Sequence, residues 1–177
     1  HEISNDVFKK IKDDSNFLLV DPQGFLRQKD STNNIILKKT DLDLSDVNAI
    51  KINPEEGQNI VSGSHDEMML ALQKKGIEYV LLTNKSNVSL LVKNRVYSLK
   101  LPNKNIHDTT GIGDIFCSAF TCTMLKEKDF LWALCFAAGS AQAALESNNV
   151  GLQKIPKKGM VENNASYFYN LVDFRDL

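Results

Sequence analysis

The sequence carries almost no excess charge of either sign. Its 21 Lys and Arg stand against 22 Asp and Glu, a net charge of -1 over 177 residues. That balance leaves no electrostatic footprint for nucleic acid or for an acidic membrane surface, so small-molecule partners are the default expectation. Cysteine is scarce and odd in number: Cys117, Cys122 and Cys135 all fall in apolar runs. A disulfide framework is therefore not expected, and a reducing, cytoplasmic setting is the simpler reading. Nor do the cysteines join His1, His65 or His107 at a spacing that would hold a metal. Apolar runs never approach the roughly 18 uninterrupted residues of a membrane span, and the first residues are polar, so neither a span nor a signal peptide is expected. Internal repeats, low-complexity segments and a G-x-x-x-x-G-K-[ST] loop are missing as well.

What is present reads as strands alternating with helices. The length suits one domain able to bury about two thirds of its unfolded surface. Ile3, Val7, Phe8 and Ile11 predict a first helix through Asp14, and Phe17–Val20 a short strand stopped by the turn Asp21-Pro22-Gln23-Gly24. Further strands are expected at Ile35–Leu37, Ala49–Asn53 and Ile77–Thr83, with Lys93-Asn94 as a two-residue turn between Val88–Val92 and Arg95–Leu99. Ser64 and Glu67 form a capping box for a helix that ends at Gly76. Helices are predicted after Gly113, from Asp129 to Glu146, and from Val161 to Val172. This order argues for an α/β fold with a mainly parallel sheet.

The stretch that carries chemistry is Asp108-Thr109-Thr110-Gly111-Ile112-Gly113-Asp114, followed directly by the apolar helical run Ile115–Met124. Glycines allow close approach of the backbone to an anion, and the helix N-terminus adds about half a positive charge. A carboxylate there is repelled by a bound phosphate, so Asp114 needs a reason, and general-base work supplies one. The plainer alternative is a turn whose glycines only provide unusual backbone angles. The helix that follows and the ordering hydroxyls of Thr109 and Thr110 favour the anion site. A second constellation, Asn53-Pro54-Glu55-Glu56, ends a strand. An amide oxygen and a carboxylate three apart can hold the water shell of magnesium. By spacing alone they are better read as a helix cap, Asn53 at the N-cap and Glu56 at N3.

Asp108–Asp114 closely resembles the D-T-x-G-A-G-D signature of the ribokinase-like (pfkB-type) carbohydrate kinases, with Ile112 for the usual alanine. Asn53–Glu56 resembles the family's N-x-x-E motif, and Asp21–Arg27 its D-P-containing turn. Ala137–Ala144, with Gly151 and Pro156, resembles the closing segment of its nucleotide site. The resemblance implies a three-layer α/β fold with a mainly parallel central sheet, and transfer of the ATP γ-phosphoryl group to a primary hydroxyl of a sugar or nucleoside. It further implies Asp114 as general base and the amides of Gly111, Ile112, Gly113 and Asp114 as the anion hole. Asn53 and Glu56 would hold Mg2+ and phosphates through water, while Asp108, Thr109, Thr83, Ala138, Ser140 and Ala141 would lie at the nucleotide. The T-x-G-x-x-G glycines expected after Thr83 are replaced by Asn84–Val88.

The resemblance covers only the family's C-terminal part: residues 1–177 read as one domain, the nucleotide-binding half. The Gly-Gly sugar-binding motif and lid strands of the N-terminal half are not in the sequence. Taken alone the chain is expected to be incompetent, and to self-associate or pair with the missing half through an apolar edge such as Phe17–Val20. A non-catalytic nucleotide-sensing or partner-binding module of the same fold is the alternative. Elsewhere the expectations are ordinary: Lys38-Lys39 and Lys157-Lys158 as solvated surface, His107 as a turn histidine, Cys117 and Cys122 as packing, and Trp132 with Phe136 as a buried helix stripe.

Overall fold

A computed structural model of the chain describes residues 3–102 and 108–177; His107, expected at a turn, lies outside them. The chain divides into two compact units. The first comprises His1–Asn84, Ser89–Val96 and Arg175–Leu177, and the second Lys85–Val88 and Tyr97–Phe174.

The first unit opens with α1 (Asn5–Asp14), whose N-cap Ser4 accepts from the Val7 amide at 3.4 Å. Its buried face sets Phe8 edge-on against Phe25, the ring centroids 5.0 Å apart. β1 (Leu19–Val20) is shorter than the apolar run that predicted it. The segment read as a simple turn winds into one helical turn, α2 (Gln23–Leu26), because Asp21 Oδ1 accepts from the Gln23 amide at 3.1 Å and fixes the entry. Then β2 (Arg27–Lys29) pairs antiparallel with β3 (Ile35–Leu37) in a separate two-stranded sheet. The strand β2 was not expected in a polar stretch. Its partner and the turn define it, with Asp30 Oδ1 accepting from the amides of Thr32 and Asn34.

β4 (Ala49–Ile52) is buried at all four positions, as a parallel strand covered on both faces must be. It is followed by α3 (Pro54–Gln58), then α4 (His65–Lys74), then β5 (Tyr79–Asn84). Leu19 and Val20 register on Ala49 and Ile50, and Ala49–Ile52 on Tyr79–Leu82, all parallel. The capping box of α4 forms as expected: the Glu67 amide donates to Ser64 Oγ, and the Ser64 amide to Glu67 Oε2 at 2.7 Å. That helix presents Met69 and Leu72 to a core of Ile50, Ile52, Val80 and Leu91. β6 (Asn87–Val92) and β7 (Arg95–Lys100) are joined at Lys93 and Asn94 with φ of 47° and 63°, the left-handed pair that a tight hairpin requires.

The second unit is helical. α5 (Ile112–Glu127) ends at Lys128 in a left-handed conformation, and Asp129 Oδ1 caps α6 (Phe130–Leu145) by accepting from the Leu131 and Trp132 amides. α6 is apolar all round and buried over most of its length. After a 3₁₀ turn (Gly151–Lys154) comes α7 (Lys158–Tyr169). α7 stops three residues before the expected Val172. Its periodic buried set, Val161, Ala165 and Phe168, is complete there, and Asp173–Asp176 is instead strand β8. Four exposed residues are too few to show an alternation that could be read beforehand. The main sheet has the order β1-β4-β5-β6-β7-β8. The chain is thus an α/β fold with a mainly parallel central sheet.

Candidate active site

The turn before α5 is held by its own side chains. Asp108 Oδ1 accepts from the Thr110 amide at 2.8 Å, closing an Asx turn. Gly111 then caps α5 at φ 77°, a left-handed conformation that a residue with a Cβ adopts at a cost. The Ile112 amide donates to Thr109 O at 3.2 Å, and the first regular helical bond runs from Ile115 to Gly111 O at 3.0 Å. Ile112 is therefore occupied, a departure from the expected set of four anion-binding amides. For Gly113 and Asp114, at the second and third helical positions, no described residue accepts their N–H groups. These are the orphan donors of a helix N-terminus, and the Asp114 carboxylate is exposed beside them.

Lys154 was not anticipated. Its ammonium, on a residue only 3% exposed, donates to Asp108 O at 2.7 Å, Asp108 Oδ2 at 3.0 Å and Thr110 O at 3.2 Å. A lysine on a four-residue 3₁₀ turn between exposed neighbours has no periodicity to mark it as buried, so the sequence held no signal for it. The Thr110 hydroxyl and amide, then Lys154, draw the Asp108 carboxyl down to about 2.

The turn forms the polar end of a cavity of about 890 Å³. Asp108, Thr110, Gly111 and Asp114 line that end. Ile115, Ala119 and Cys122 of α5, Phe136 and Ser140 of α6, and Leu152 and Ile155 make the rest mostly apolar. The volume and the contrast between a polar end and an apolar body are those of a small-molecule site.

The expected residues separate into those this cavity gathers and those it does not. Asp108, Gly111, Asp114 and Ser140 line it, and Thr109, Ile112 and Gly113 complete the turn. Ala138 and Ala141, expected at the adenine, are 0% and 4% exposed and do not line the cavity; small side chains there serve helix packing. Phe136 is on the cavity wall rather than in a purely buried stripe, while the Trp132 ring packs at a tilt of 60° against Tyr169, the centroids 6.1 Å apart. Cys122, expected to pack, is exposed on the same wall.

Asn53, Glu56 and Thr83 belong to the first unit. Asn53 and Glu56 form the reciprocal cap of α3: the Glu56 amide donates to Asn53 Oδ1 at 2.8 Å, and the Asn53 amide to Glu56 Oε2 at 2.9 Å. Gln23 Nε2 donates to Glu56 Oε1 at 3.3 Å, and Lys51 Nζ lies 3.8 Å from Glu56 Oε2. With both carboxylate oxygens engaged on a residue 2% exposed, direct ligation of magnesium does not fit. Thr83 Oγ1 donates to Ile52 O at 3.3 Å, tying β5 to β4. Among the described residues no three His, Cys, Asp or Glu side chains converge on a possible metal position, and no helix is long and apolar enough to cross a membrane.

Residues 25–158 match the family model of the pfkB family carbohydrate kinases. Solved structures match across most of the chain. One concerns conversion of a pyrophosphate-dependent myo-inositol-1 kinase into a myo-inositol-3 kinase, at 19% identity and a TM-score of 0.76, covering 93% of this chain and 58% of that one. A ribokinase from Thermotoga maritima matches at 16% identity and 0.71, covering 90% and 52%. A pyridoxal kinase of Entamoeba histolytica matches at 18% and 0.65, covering 96% and 64%. The chain thus spans a little over half the length of the first two. No match was found among curated proteins.

Proposed function

Because the chain belongs to the pfkB family of carbohydrate kinases, we propose that it carries the donor-binding half of an ATP-dependent kinase acting on a primary hydroxyl of a sugar or nucleoside. The observation that carries this reading is the pair of orphan amides, Gly113 and Asp114, opening beside the exposed Asp114 carboxylate at the polar end of a large cavity. Phosphoryl transfer asks for little else from a protein: donors aimed at the transferring oxygens and a base within reach of the acceptor hydroxyl. Asp114 takes the hydroxyl proton, and the two amides meet the negative charge that builds on the transferring group. ATP would supply the phosphoryl group; magnesium, when bound, would shield negative charge on the donor, and Asn53 and Glu56 would hold it only through water.

Three of the matching structures, each at 19% identity and a TM-score of 0.76, are of pyrophosphate-dependent kinases. ATP is the donor this chain favours, because some 890 Å³ of mostly apolar space adjoins the anion site. Pyrophosphate has no apolar part to fill such a space, whereas a nucleoside has a base and ribose to bury. A sugar or nucleoside acceptor, a cytoplasmic setting and pairing through the sheet edge at β1 complete the proposal. Calorimetric titration tests it. Mg-ATP binds saturably and more tightly than Mg-pyrophosphate, and Asp114→Asn keeps the binding; with the acceptor-binding half supplied, transfer to an acceptor falls by about a hundred- to ten-thousandfold in the same variant. A chain that binds pyrophosphate but not ATP refutes the donor assignment, and one that binds neither refutes the site.

A further inference from the structure

We propose that Lys154 is a positioning residue that clamps the Asp108–Thr110 turn, so that the Gly113 and Asp114 amides and the Asp114 carboxylate stay presented to the cavity. The inference rests on reading that turn as the phosphoryl site. A lysine ammonium has three donors, and here Asp108 O, Asp108 Oδ2 and Thr110 O take them all. None is left for a ligand, so Lys154 is not itself a phosphate-binding residue, although it lies on the cavity wall.

The three oxygens belong to the two residues that bracket Thr109, immediately before Gly111. Two carbonyl oxygens and a carboxylate oxygen converging on one point repel one another unless a cation sits among them, and the buried ammonium is that cation. Asp108 is gripped from both sides. Its Oδ1 accepts from the Thr110 amide inside the turn, and its Oδ2 accepts from Lys154 outside it. The conformation that launches α5 is therefore set by a residue more than forty positions downstream, on the 3₁₀ turn that also carries Leu152 into the cavity wall. Because the cation is covalently part of the chain, the clamp does not depend on ions in solution.

The test uses Lys154→Met, which keeps the apolar stem and deletes the ammonium, with two separate readouts on the 177-residue chain. Amide hydrogen exchange at Thr110 reports the turn. It is expected to accelerate by about 10- to 100-fold, the range that loss of a hydrogen bond to a charged group produces. Mg-ATP affinity reports what the turn is for, and is expected to fall by a similar factor. Ammonium chloride, whose cation matches the single group that the methionine lacks, restores both; choline chloride at equal ionic strength restores neither. Unchanged exchange at Thr110, or a loss that ammonium does not reverse, overturns the proposal and leaves Lys154 as packing. Should the wild-type chain bind no Mg-ATP, the functional reading falls, while exchange at Thr110 still decides the clamp. If Lys154→Met does not fold, the wild type decides: its Lys154 Nζ protons should exchange far more slowly than those of exposed Lys157, and equal rates overturn the clamp.

Discussion

Gly139 offers a quantitative test of how α6 and α7 are held together beside the cavity. A Cβ at this position would lie 2.9 Å from Ala165 N, 2.9 Å from Val161 O and 3.2 Å from Asn164 Cβ. Two of the three are backbone atoms of α7, which cannot swing aside as a side chain could, so Gly139→Ala must push the helices apart. Overpacking of this kind costs about 1–3 kcal/mol. Against it stands the gain of about 1 kcal/mol from replacing glycine by alanine in a helix. The expected net is a destabilisation of about 1 kcal/mol, reaching about 2 if α7 resists. Gly159, at the start of α7, supplies the control, since a Cβ there meets nothing within 4 Å. Gly159→Ala keeps only the propensity gain and is expected to stabilise by up to about 1 kcal/mol. Urea titration followed by Trp132 fluorescence suits both variants, because Trp132 of α6 packs on Tyr169 at the end of α7. Opposite shifts of the two midpoints at constant slope are expected. Equal or greater stability of Gly139→Ala would refute the reasoning, and so would a parallel shift of both.

Other outcomes follow from named groups. Asp108 has its carboxyl lowered from 3.8 to about 2, so the clasp with Thr110 and Lys154 contributes in full above about pH 4 and is lost as pH falls through about 2. The Thr110 amide shift in an NMR pH titration should show that low midpoint, and one near 3.8 would contradict it. Burial pushes the Cys135 thiol up to about 12, whereas Cys122 is exposed on the cavity wall. A disulfide reagent at pH 8 should therefore label Cys122 first and spare Cys135 in the native chain, and Mg-ATP should slow the labelling of Cys122; prompt reaction at Cys135 would show that the helix packing is wrong. Lys51, 7% exposed, lies 2.9 Å from Asp21 Oδ2 and 3.8 Å from Glu56 Oε2. Lys51→Met strands the buried Glu56 carboxylate and should cost about 3 kcal/mol or more in urea denaturation; a neutral result would show that the carboxylate is relieved in another way.

The sequence made legible those features whose cause is local. The capping boxes at Ser64 and Asn53, the two-residue turn at Lys93-Asn94 and the glycine-led start of α5 are each settled within a few residues, and each forms as its pattern says. What stayed hidden depends on partners far along the chain. β2 exists because β3 pairs with it, and β8 is four exposed residues without a readable period. Lys154 is significant only through oxygens on Asp108 and Thr110. Of the candidate site, the glycine turn and the carboxylate that follows it could be read in advance as local structure; the apolar cavity could not, since Phe136 and Cys122 look like any core residue until α5 and α6 are side by side.

The registers of the parallel strands also say something about the order in which the chain becomes structured. Leu19 pairs with Ala49 and Ala49 with Tyr79, so each rung closes a loop of thirty residues. The β6–β7 hairpin closes across Lys93 and Asn94 alone. Loop closure costs entropy before any contact repays it, and parallel pairing must bear that cost twice in succession. The hairpin is expected to be protected first in pulse-labelled exchange during refolding, with β1 and β4 acquiring protection together and later. Until they do, Ile50 and Ile52, both fully buried in the finished sheet, are open to any other unpaired strand. Refolding yield should therefore fall with rising protein concentration well before native solubility does, and its sensitivity should be concentrated in those few residues of β4.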